Sequence, residues 1–184
     1  MPQADFYFNA TGKRAFIIHP FSGLIDPVTK QMPAVEIEKL ERIILILEDA
    51  GYTVFSAMTQ ESYGSNLKTP KQALVDDERG VTLADLIVAF PFILHQGRIV
   101  NSHGAAIEYG ILGGAVDLGR GPSERKFFQF LPDGIDLDEL ARRFDFDFRC
   151  YPEVLKFYND RIVAEDLRYR NSAEIYAQLE NRLL

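Results

Sequence analysis

Short apolar runs alternate along this chain with amphipathic stretches, and that alternation constrains the fold more than any other feature. Residues 15–19 read AFIIH, residues 52–57 read YTVFSA and residues 85–90 read DLIVAF. Each run has the length of a strand and few polar side chains, so each predicts a strand, the first of them buried on both faces. Strands of this kind are typical of parallel sheets that helices cover on both sides.

The stretches between these runs carry helix signals. In residues 33–50, apolar side chains recur at steps of three and four, and Gly51 follows as a stop signal. Thr69, Pro70 and Gln72 predict a helix start, with an N-cap, a proline in the first turn and a glutamine three residues after the cap.

The second half of the chain continues the pattern. The further predicted elements are helix 104–115, strand 126–131, helix 137–144 and strand 146–150. The tail over residues 152–184 is predicted as helix in two pieces, with Asn171 and Glu174 as the second helix start. The sequence therefore predicts one α/β domain over residues 1–184. It is a three-layer α/β/α fold, flavodoxin-like or Rossmann-like, with a mainly parallel sheet of about five strands and C-terminal helices.

Composition disfavours several other classes of protein. The chain has 184 residues, of which 47% are hydrophobic and 26% charged, as in a single globular domain. No apolar run reaches the ~18 residues of a membrane-spanning helix, and the first 15 residues lack the apolar core of a secretory signal. A net charge of −7 disfavours a nucleic-acid partner. The single Cys150 excludes an internal disulfide, and we expect a cytoplasmic protein.

Sites in parallel α/β sheets form beyond the carboxyl ends of the strands. This rule selects residues 20–23, 58–69, 91–103 and the turn after Leu131. The third segment leads into a predicted helix start over residues 102–110, which read SHGAAIEYG. Gly104, Ala105 and Ala106 are small enough for a ligand to approach the backbone, and the first-turn amides favour negative charge or polar oxygens.

Two acidic residues belong to this region. Glu108 lies one turn into the predicted helix, where its carboxylate could face the crevice, and Asp77 stands at a predicted helix–turn boundary near the sheet edge. Each has a simpler interpretation: Glu108 as a solvated acid or one that complements the helix dipole, and residues 76–80 as a solvated polar turn. Two carboxylates in one crevice could divide the work of a retaining glycosidase, one at a cationic sugar carbon and one at a proton.

Three motifs follow one another within residues 15–114. His19-Pro20-Phe21 forms a turn after the first strand, Asp77 precedes by eight residues the Asp that opens a Val/Ile-rich strand, and Ser102 begins a Ser-x-Gly-x-x-x-Glu-x-Gly helix start. In this order the motifs resemble the nucleoside 2-deoxyribosyltransferase superfamily, which includes nucleoside transferases and nucleoside 5′-monophosphate N-glycosidases.

The resemblance implies a role for each matching residue. Glu108 would attack C1′ of the sugar and form a covalent glycosyl-enzyme, and Asp77 would transfer a proton at the base. Ser102 would contact the 5′ end of the nucleoside or nucleotide. The other implied substrate contacts are His19, Pro20, Phe21, Ser22, His103, Gly104 and Ala105.

The resemblance also implies homodimers or larger assemblies, with a small nucleoside or nucleotide as ligand and no metal or organic cofactor. The three histidines are not spaced as metal ligands. Ser102 favours hydrolysis over base exchange, because serine at that place resembles the monophosphate hydrolases and aspartate resembles the transferases.

Three departures from the family pattern motivate a second hypothesis. His19 stands where glycine is common, Ser22 stands where the hydrolases tend to carry an arginine, and residues 91–101 form a long segment that includes Arg98. These residues favour, as the alternative, a non-catalytic nucleotide sensor or interaction module on the same fold. A third hypothesis is cleavage of a nicotinamide dinucleotide by a similarly placed glutamate.

Overall fold

A sheet of five parallel strands forms the centre of the protein. The structure is a computed structural model that describes residues 7–20, 22–144 and 151–184. Its strands are β1 (Lys13–Ile18), β2 (Tyr52–Ser56), β3 (Leu86–Ala89), β4 (Phe92–His95), β5 (Arg98–Asn101), β6 (Lys126–Pro132) and β7 (Val163–Tyr169). The sheet has the order β2-β1-β3-β6-β7, and all neighbouring strands in it are parallel. With the β4–β5 hairpin set aside, this is the flavodoxin-like order 2-1-3-4-5.

Helices cover both faces of the sheet. They are α1 (Ala34–Asp49), α2 (Ala57–Gln60), α3 (Pro70–Leu83), α4 (His103–Asp117), α5 (Leu137–Phe144), α6 (Tyr151–Tyr158) and α7 (Ser172–Leu183). Alternate residues of β1 enter two separate cores: Ala15 and Ile17 pack with α1 and α7, whereas Phe16 and Ile18 pack with α3, α4 and α6. The predicted three-layer α/β/α fold is confirmed.

The predicted helix starts follow from local hydrogen bonds. Thr69 and Gln72 form a complete capping box at the first turn of α3, with Pro70 as the first helical residue. Asn171 accepts a hydrogen bond from the Glu174 amide and caps α7. No helix among the described residues has the length and apolar character that crossing a membrane requires.

The prediction of an entirely helical tail is wrong. Residues Val163–Tyr169 form β7, which pairs in parallel with β6 along seven residues. Ala164, Leu167 and Tyr169 of this strand are buried. This segment forms a strand because it pairs with the edge of β6, whose backbone N–H and C=O groups would otherwise be unpaired.

Two further predictions differ from the structure. The long segment 91–101 is not a loop but contains the antiparallel hairpin β4–β5, whose turn residues Gln96 and Gly97 both have positive φ. Asp77 lies within α3 and not at a helix–turn boundary, because α3 continues to Leu83. The predicted strand 146–150, which includes Cys150, falls outside the described residues.

Gly80 allows α3 to approach β1 closely. A Cβ atom at this position would lie 2.7 Å and 2.8 Å from two ring carbons of Phe16. The carbonyl of Gly80 also accepts a hydrogen bond of 2.9 Å from the Tyr7 hydroxyl. The glycine therefore sets the distance between this helix and the sheet.

Replacement of Gly80 by alanine should lower the free energy of unfolding by about 1–3 kcal/mol, although alanine is the better helix former. Urea unfolding of the full chain measures this change. Gly114→Ala in α4 is the matched control, because no atom lies within 4 Å of a Cβ at that position. That variant should gain about 0.5–1 kcal/mol. Equal effects of the two substitutions would contradict the close approach of α3.

Candidate functional site

The topology places a crevice at the carboxyl ends of β1 and β3. These strands pair up to Ile18 and Ala89, and the chain leaves β1 towards one side of the sheet and β3 towards the other. Such a reversal of strand order is where open α/β sheets bind ligands. The loop after β1 also packs against β5, since a Cβ at Gly23 would lie 2.4 Å from the carbonyl oxygen of Asn101.

Residues 19, 20, 22 and 102–105 are therefore at one edge of the sheet. His19 is half-buried, Pro20 is buried and Ser22 is exposed, while Phe21 falls outside the described residues. At the start of α4, His103 and Gly104 are exposed and Ala105 is buried. The sequence-predicted contact residues that are described thus flank the same crevice.

Ser102 caps α4. Its Oγ accepts a hydrogen bond of 3.1 Å from the amide of Ala105. The hydroxyl hydrogen remains available as a donor, and the amides of the first helical turn have no partner within the helix. A Cβ at Gly104 would meet only the Ser102 Oγ, at 3.6 Å, so the backbone there is open to approach.

Glu108 is a buried carboxylate without a complete set of partners. Its side chain lies on α4, one turn after Gly104, and is only 4% exposed. Oε2 has no hydrogen-bond partner among the described residues. Burial raises the pKa of Glu108 well above its ordinary value, and the charge of Asp77 raises it further. The simpler interpretation of Glu108 as a solvated acid is wrong.

Asp77 lies on the neighbouring helix α3 and interacts with the same carboxylate. Burial raises the pKa of Asp77 to about 7, the charges of Glu61 and Asp76 raise it as well, and Lys68 opposes the shift. The polar-turn interpretation of residues 76–80 is also wrong, since they are helical. The structure thus brings Asp77 and Glu108 close enough to interact.

Glu61 is a third acid that the sequence analysis missed. It is 7% exposed, and burial raises its pKa, while the Lys68 amide opposes the shift by donating to its carboxylate. Lys68 Nζ forms an ion pair of 2.6 Å with Asp76. The cavity between these groups and Asp77 measures about 10 Å³, the space of one water molecule. Glu61 is the only acid in the selected segment 58–69, a signal that could have found it.

Partnerless polar atoms concentrate at this edge. Among the described residues, five buried side-chain atoms lack a hydrogen-bond partner, and four of them belong to His19, Ser56, Gln60 and Glu108. Ser56 is the last residue of β2, and Gln60 is the last residue of α2, which directly follows β2. Both therefore lie at or just beyond the carboxyl end of β2. An unmade hydrogen bond in a buried position costs about 1–3 kcal/mol. A polar ligand in the crevice would recover part of that free energy.

A second polar cluster lies on the opposite face of the same edge. Glu36 is 2% exposed and accepts from Lys39 Nζ at 2.7 Å, and its Oε1 lies 2.9 Å from His95 Nδ1. The His19 ring stands 5.6 Å from the Phe90 ring. Burial lowers the pKa of His19 to about 4, so this imidazole is neutral at pH 7. No sequence signal distinguishes Glu36, which occupies the first turn of an ordinary amphipathic helix.

Metal coordination finds no support in the arrangement of these side chains. Across residues 7–20, 22–144 and 151–184, no three His, Cys, Asp or Glu side chains are grouped as metal ligands.

Solved structures with the same fold were found. The CMP N-glycosidase BcmB of Clostridium botulinum superimposes with a TM-score of 0.54 at 20% identity, over 92% of this chain and 99% of that one. BlsM, known from a solution structure, gives a TM-score of 0.63 at 23% identity, over 95% and 91% of the two chains. No protein-family model and no curated sequence matches the chain. At these identities the two structures show that the chain shares their fold.

The raised pKa of Glu108 makes stability depend on pH. The folded chain keeps a proton on this carboxyl at pH values where the unfolded chain has released it, so stability falls as pH rises above about 4. Glu108→Gln should therefore raise the free energy of unfolding by about 1–3 kcal/mol at pH 8 and change it little at pH 4.

Chemical denaturation at the two pH values measures this difference. Glu78→Gln is the matched control, because Glu78 lies on the adjacent turn of α3 and its side chain is 60% exposed. That variant should match the parent chain at both pH values. A stabilisation by Glu108→Gln of equal size at pH 4 and pH 8 would show that Glu108 has an ordinary pKa.

Proposed function

We propose that this protein cleaves the N-glycosidic bond of a nucleoside or nucleoside 5′-monophosphate, by hydrolysis in preference to base exchange. One observation carries the proposal: Glu108 and Asp77, two carboxylates with raised pKa values, interact at the carboxyl edge of the sheet. The fold shared with a CMP N-glycosidase supports the same class of reaction.

The two carboxylates suit a retaining mechanism because together they hold a proton near neutral pH. Burial and mutual repulsion disfavour two negative charges in the pair. With substrate bound, the developing positive charge at C1′ favours the ionised form of Glu108, which leaves the proton on Asp77. One group is then ready as nucleophile and the other as acid.

In the first step, a Glu108 oxygen forms a bond to C1′ while the bond from C1′ to the base nitrogen breaks. Asp77 gives its proton to the departing base, whose negative charge is thereby neutralised. In the second step, water attacks C1′ and gives a proton to the Asp77 carboxylate, and the ester bond to Glu108 breaks. Two displacements at C1′ retain its configuration.

The start of α4 is proposed to hold the 5′ end of the substrate. Ser102 retains a hydroxyl hydrogen for donation, and the first-turn amides with the positive end of the helix dipole favour a phosphate. His103 is exposed at the first helical position. His19, Pro20 and Ser22 would contact the base or sugar from β1, and Phe21 completes the proposed set.

We further propose a cytoplasmic homodimer or larger homo-oligomer. Leu74 and Val75 on α3 and Ile107 on α4 are about half exposed, and Leu118 directly after α4 is 64% exposed. These residues are the apolar surface that a second copy would cover. Size-exclusion chromatography with light scattering would test the assembly.

Loss of either carboxylate should abolish or severely impair turnover. In a chromatographic assay of ribo- and deoxyribonucleosides, their 5′-monophosphates and nicotinamide dinucleotide, Glu108→Gln should lower kcat at least ~10⁴-fold. Asp77→Asn should lower it about 10²–10⁴-fold. Glu78→Gln should retain activity, because its carboxylate points to solvent on the adjacent turn.

The same assay separates the competing functions. Free base released without an acceptor base establishes a hydrolase, and product only with an acceptor establishes base exchange. Saturable nucleotide binding without product on prolonged incubation would refute the proposal in favour of a sensor. Exclusive cleavage of the nicotinamide dinucleotide would also refute it.

Activity should fall at acidic pH. The proposed reaction needs one proton on the Glu108–Asp77 pair, and since the Asp77 pKa is about 7, both carboxyls keep their protons below that pH. We expect kcat/KM to decrease about tenfold per pH unit below pH 7, because Glu108 is then not ionised. In Asp77→Asn, the residual activity should lack the inflection near pH 7. An unchanged inflection in that variant would assign it to another group.

A further inference from the structure

A spacious cleft lies at the edge of the sheet opposite the proposed active site. Its volume is about 650 Å³. It is lined by Lys13, Tyr52, Asp85, Pro122, Ser123, Glu124, Arg125, Lys126, Arg161 and Val163. Lys13, Tyr52, Lys126 and Val163 are the first residues of β1, β2, β6 and β7, and Asp85 directly precedes β3. The cleft therefore follows the amino-terminal edge of the whole sheet, roughly 16 Å from the carboxyl edge.

Positive charge dominates this cleft although the chain has a net charge of −7. Four cationic residues line it, against the two acids Asp85 and Glu124. Within the described part of the chain, Lys13, Lys126 and Arg161 form no ion pair. The nearest electrostatic partner of Lys13 is the Tyr52 ring, with Nζ 5.9 Å from its centroid.

Other cations of the chain do form ion pairs. Lys39, Lys68 and Arg170 each pair with a carboxylate at 2.7 Å or less. Of the two acids in the cleft, Asp85 already accepts the Arg14 amide at 2.8 Å. The cleft therefore concentrates cationic groups that no side chain neutralises by direct contact.

Arg125 forms a rigid part of the cleft wall. It is 3% exposed, Nε donates to the carbonyl of Ala84 and Nη2 to that of Thr82, both at 2.9 Å. Nη1 has no partner and is the one partnerless buried atom of the described residues that is remote from the carboxyl edge. The two carbonyls thus hold the guanidinium in place, with donor capacity unused at Nη1.

A glycine fixes this arrangement. Gly121 has φ of 84°, and a Cβ there would lie 2.0 Å from the Thr82 carbonyl oxygen and 2.5 Å from Arg125 Nη2. Only glycine allows the turn before β6 to pass so close to the guanidinium. The backbone at Gly121 therefore packs directly against the Arg125 guanidinium.

We propose that this cleft binds a small phosphorylated compound through its phosphate or diphosphate group. Unpaired Lys and Arg side chains that converge on one cavity are the groups that recognise phosphate oxygens. The volume exceeds that of a phosphate ion and lies within the range of small-molecule sites. The hydroxyl of Ser123 adds a neutral donor at the rim. The site uses no residue of the proposed N-glycosidase centre and stands independently of that proposal.

Isothermal titration of the full chain with inorganic pyrophosphate tests the site. Lys13→Ala and Arg161→Ala are the informative variants, because both side chains are exposed and their loss leaves the core intact. We expect each to weaken pyrophosphate binding about tenfold and the double variant about a hundredfold. Thermal unfolding of each variant checks that the fold is retained.

Arg98→Ala is the matched control, since Arg98 is an exposed arginine on β5 at the carboxyl edge. It should leave pyrophosphate binding unchanged. Weakening by Arg98→Ala together with no effect of Arg161→Ala would place the anion at the carboxyl edge and overturn the proposal. Absence of saturable binding, or equal affinity for sulfate and pyrophosphate, would overturn it as well.

The titration also separates this site from the proposed enzyme. Glu108→Gln should retain pyrophosphate binding, because Glu108 is remote from the cleft. An inactive protein that still binds pyrophosphate through Lys13 and Arg161 would refute only the N-glycosidase proposal. An active enzyme whose cleft variants bind as the parent does would refute only the anion site.

Discussion

The parallel pairing of β1 with β3 at the middle of the sheet is the constraint on which the rest of the structure depends. Because both strands are buried on both faces, each crossover must leave the sheet and return as a helix. From β1 the chain crosses to β2 on one side, and from β2 it returns to β3 on the other side of β1. This reversal opens a crevice at the carboxyl ends, and the residues that follow β1 and β3 line it whatever their identity.

Much of the fold was accessible from the sequence because local signals and tertiary packing agree in most elements. The Thr69–Gln72 capping box and the Asn171 cap have the hydrogen bonds that their sequences predict. The two elements that were mispredicted, β7 and the β4–β5 hairpin, depend on pairing partners distant in sequence or on a turn with positive φ at Gln96. Local hydrophobic periodicity does not show that the edge of β6 will pair with a further strand.

The same distinction applies to the site. Glu108 was identifiable because it belongs to a compact motif within one helix start. The contact between Glu36 and His95 joins residues 59 positions apart, and no local sequence pattern predicts it. Burial, the property that turns Glu108 and Asp77 from ordinary acids into an interacting pair, arises from the packing of α3 against α4. The sequence can identify such residues, but their protonation states depend on how the folded chain buries them.

The two edges of the sheet differ in the sign of the charge that they leave unsatisfied. At the carboxyl edge, burial raises the pKa of Glu61, Asp77 and Glu108, and Asp77 is repelled by Glu61 and itself acts on Glu108. At the amino edge, the unmet groups are cationic, with Arg125 fixed by two backbone carbonyls. A strand length of about 16 Å exceeds the ~10 Å screening length at 0.1 M salt, so the two sets cannot neutralise each other.

Sheet pairing does not require either set, because the strands are joined by main-chain hydrogen bonds and apolar side chains. Neutral residues at Lys13 or Arg161 would leave those interactions intact. Lys13 and Arg161, which form no ion pair with the described residues, act on whatever charge approaches the amino edge. A base that leaves with negative charge requires an acid beside it, and a phosphate requires cations. The opposite edges of this one sheet therefore suit two chemically different ligands.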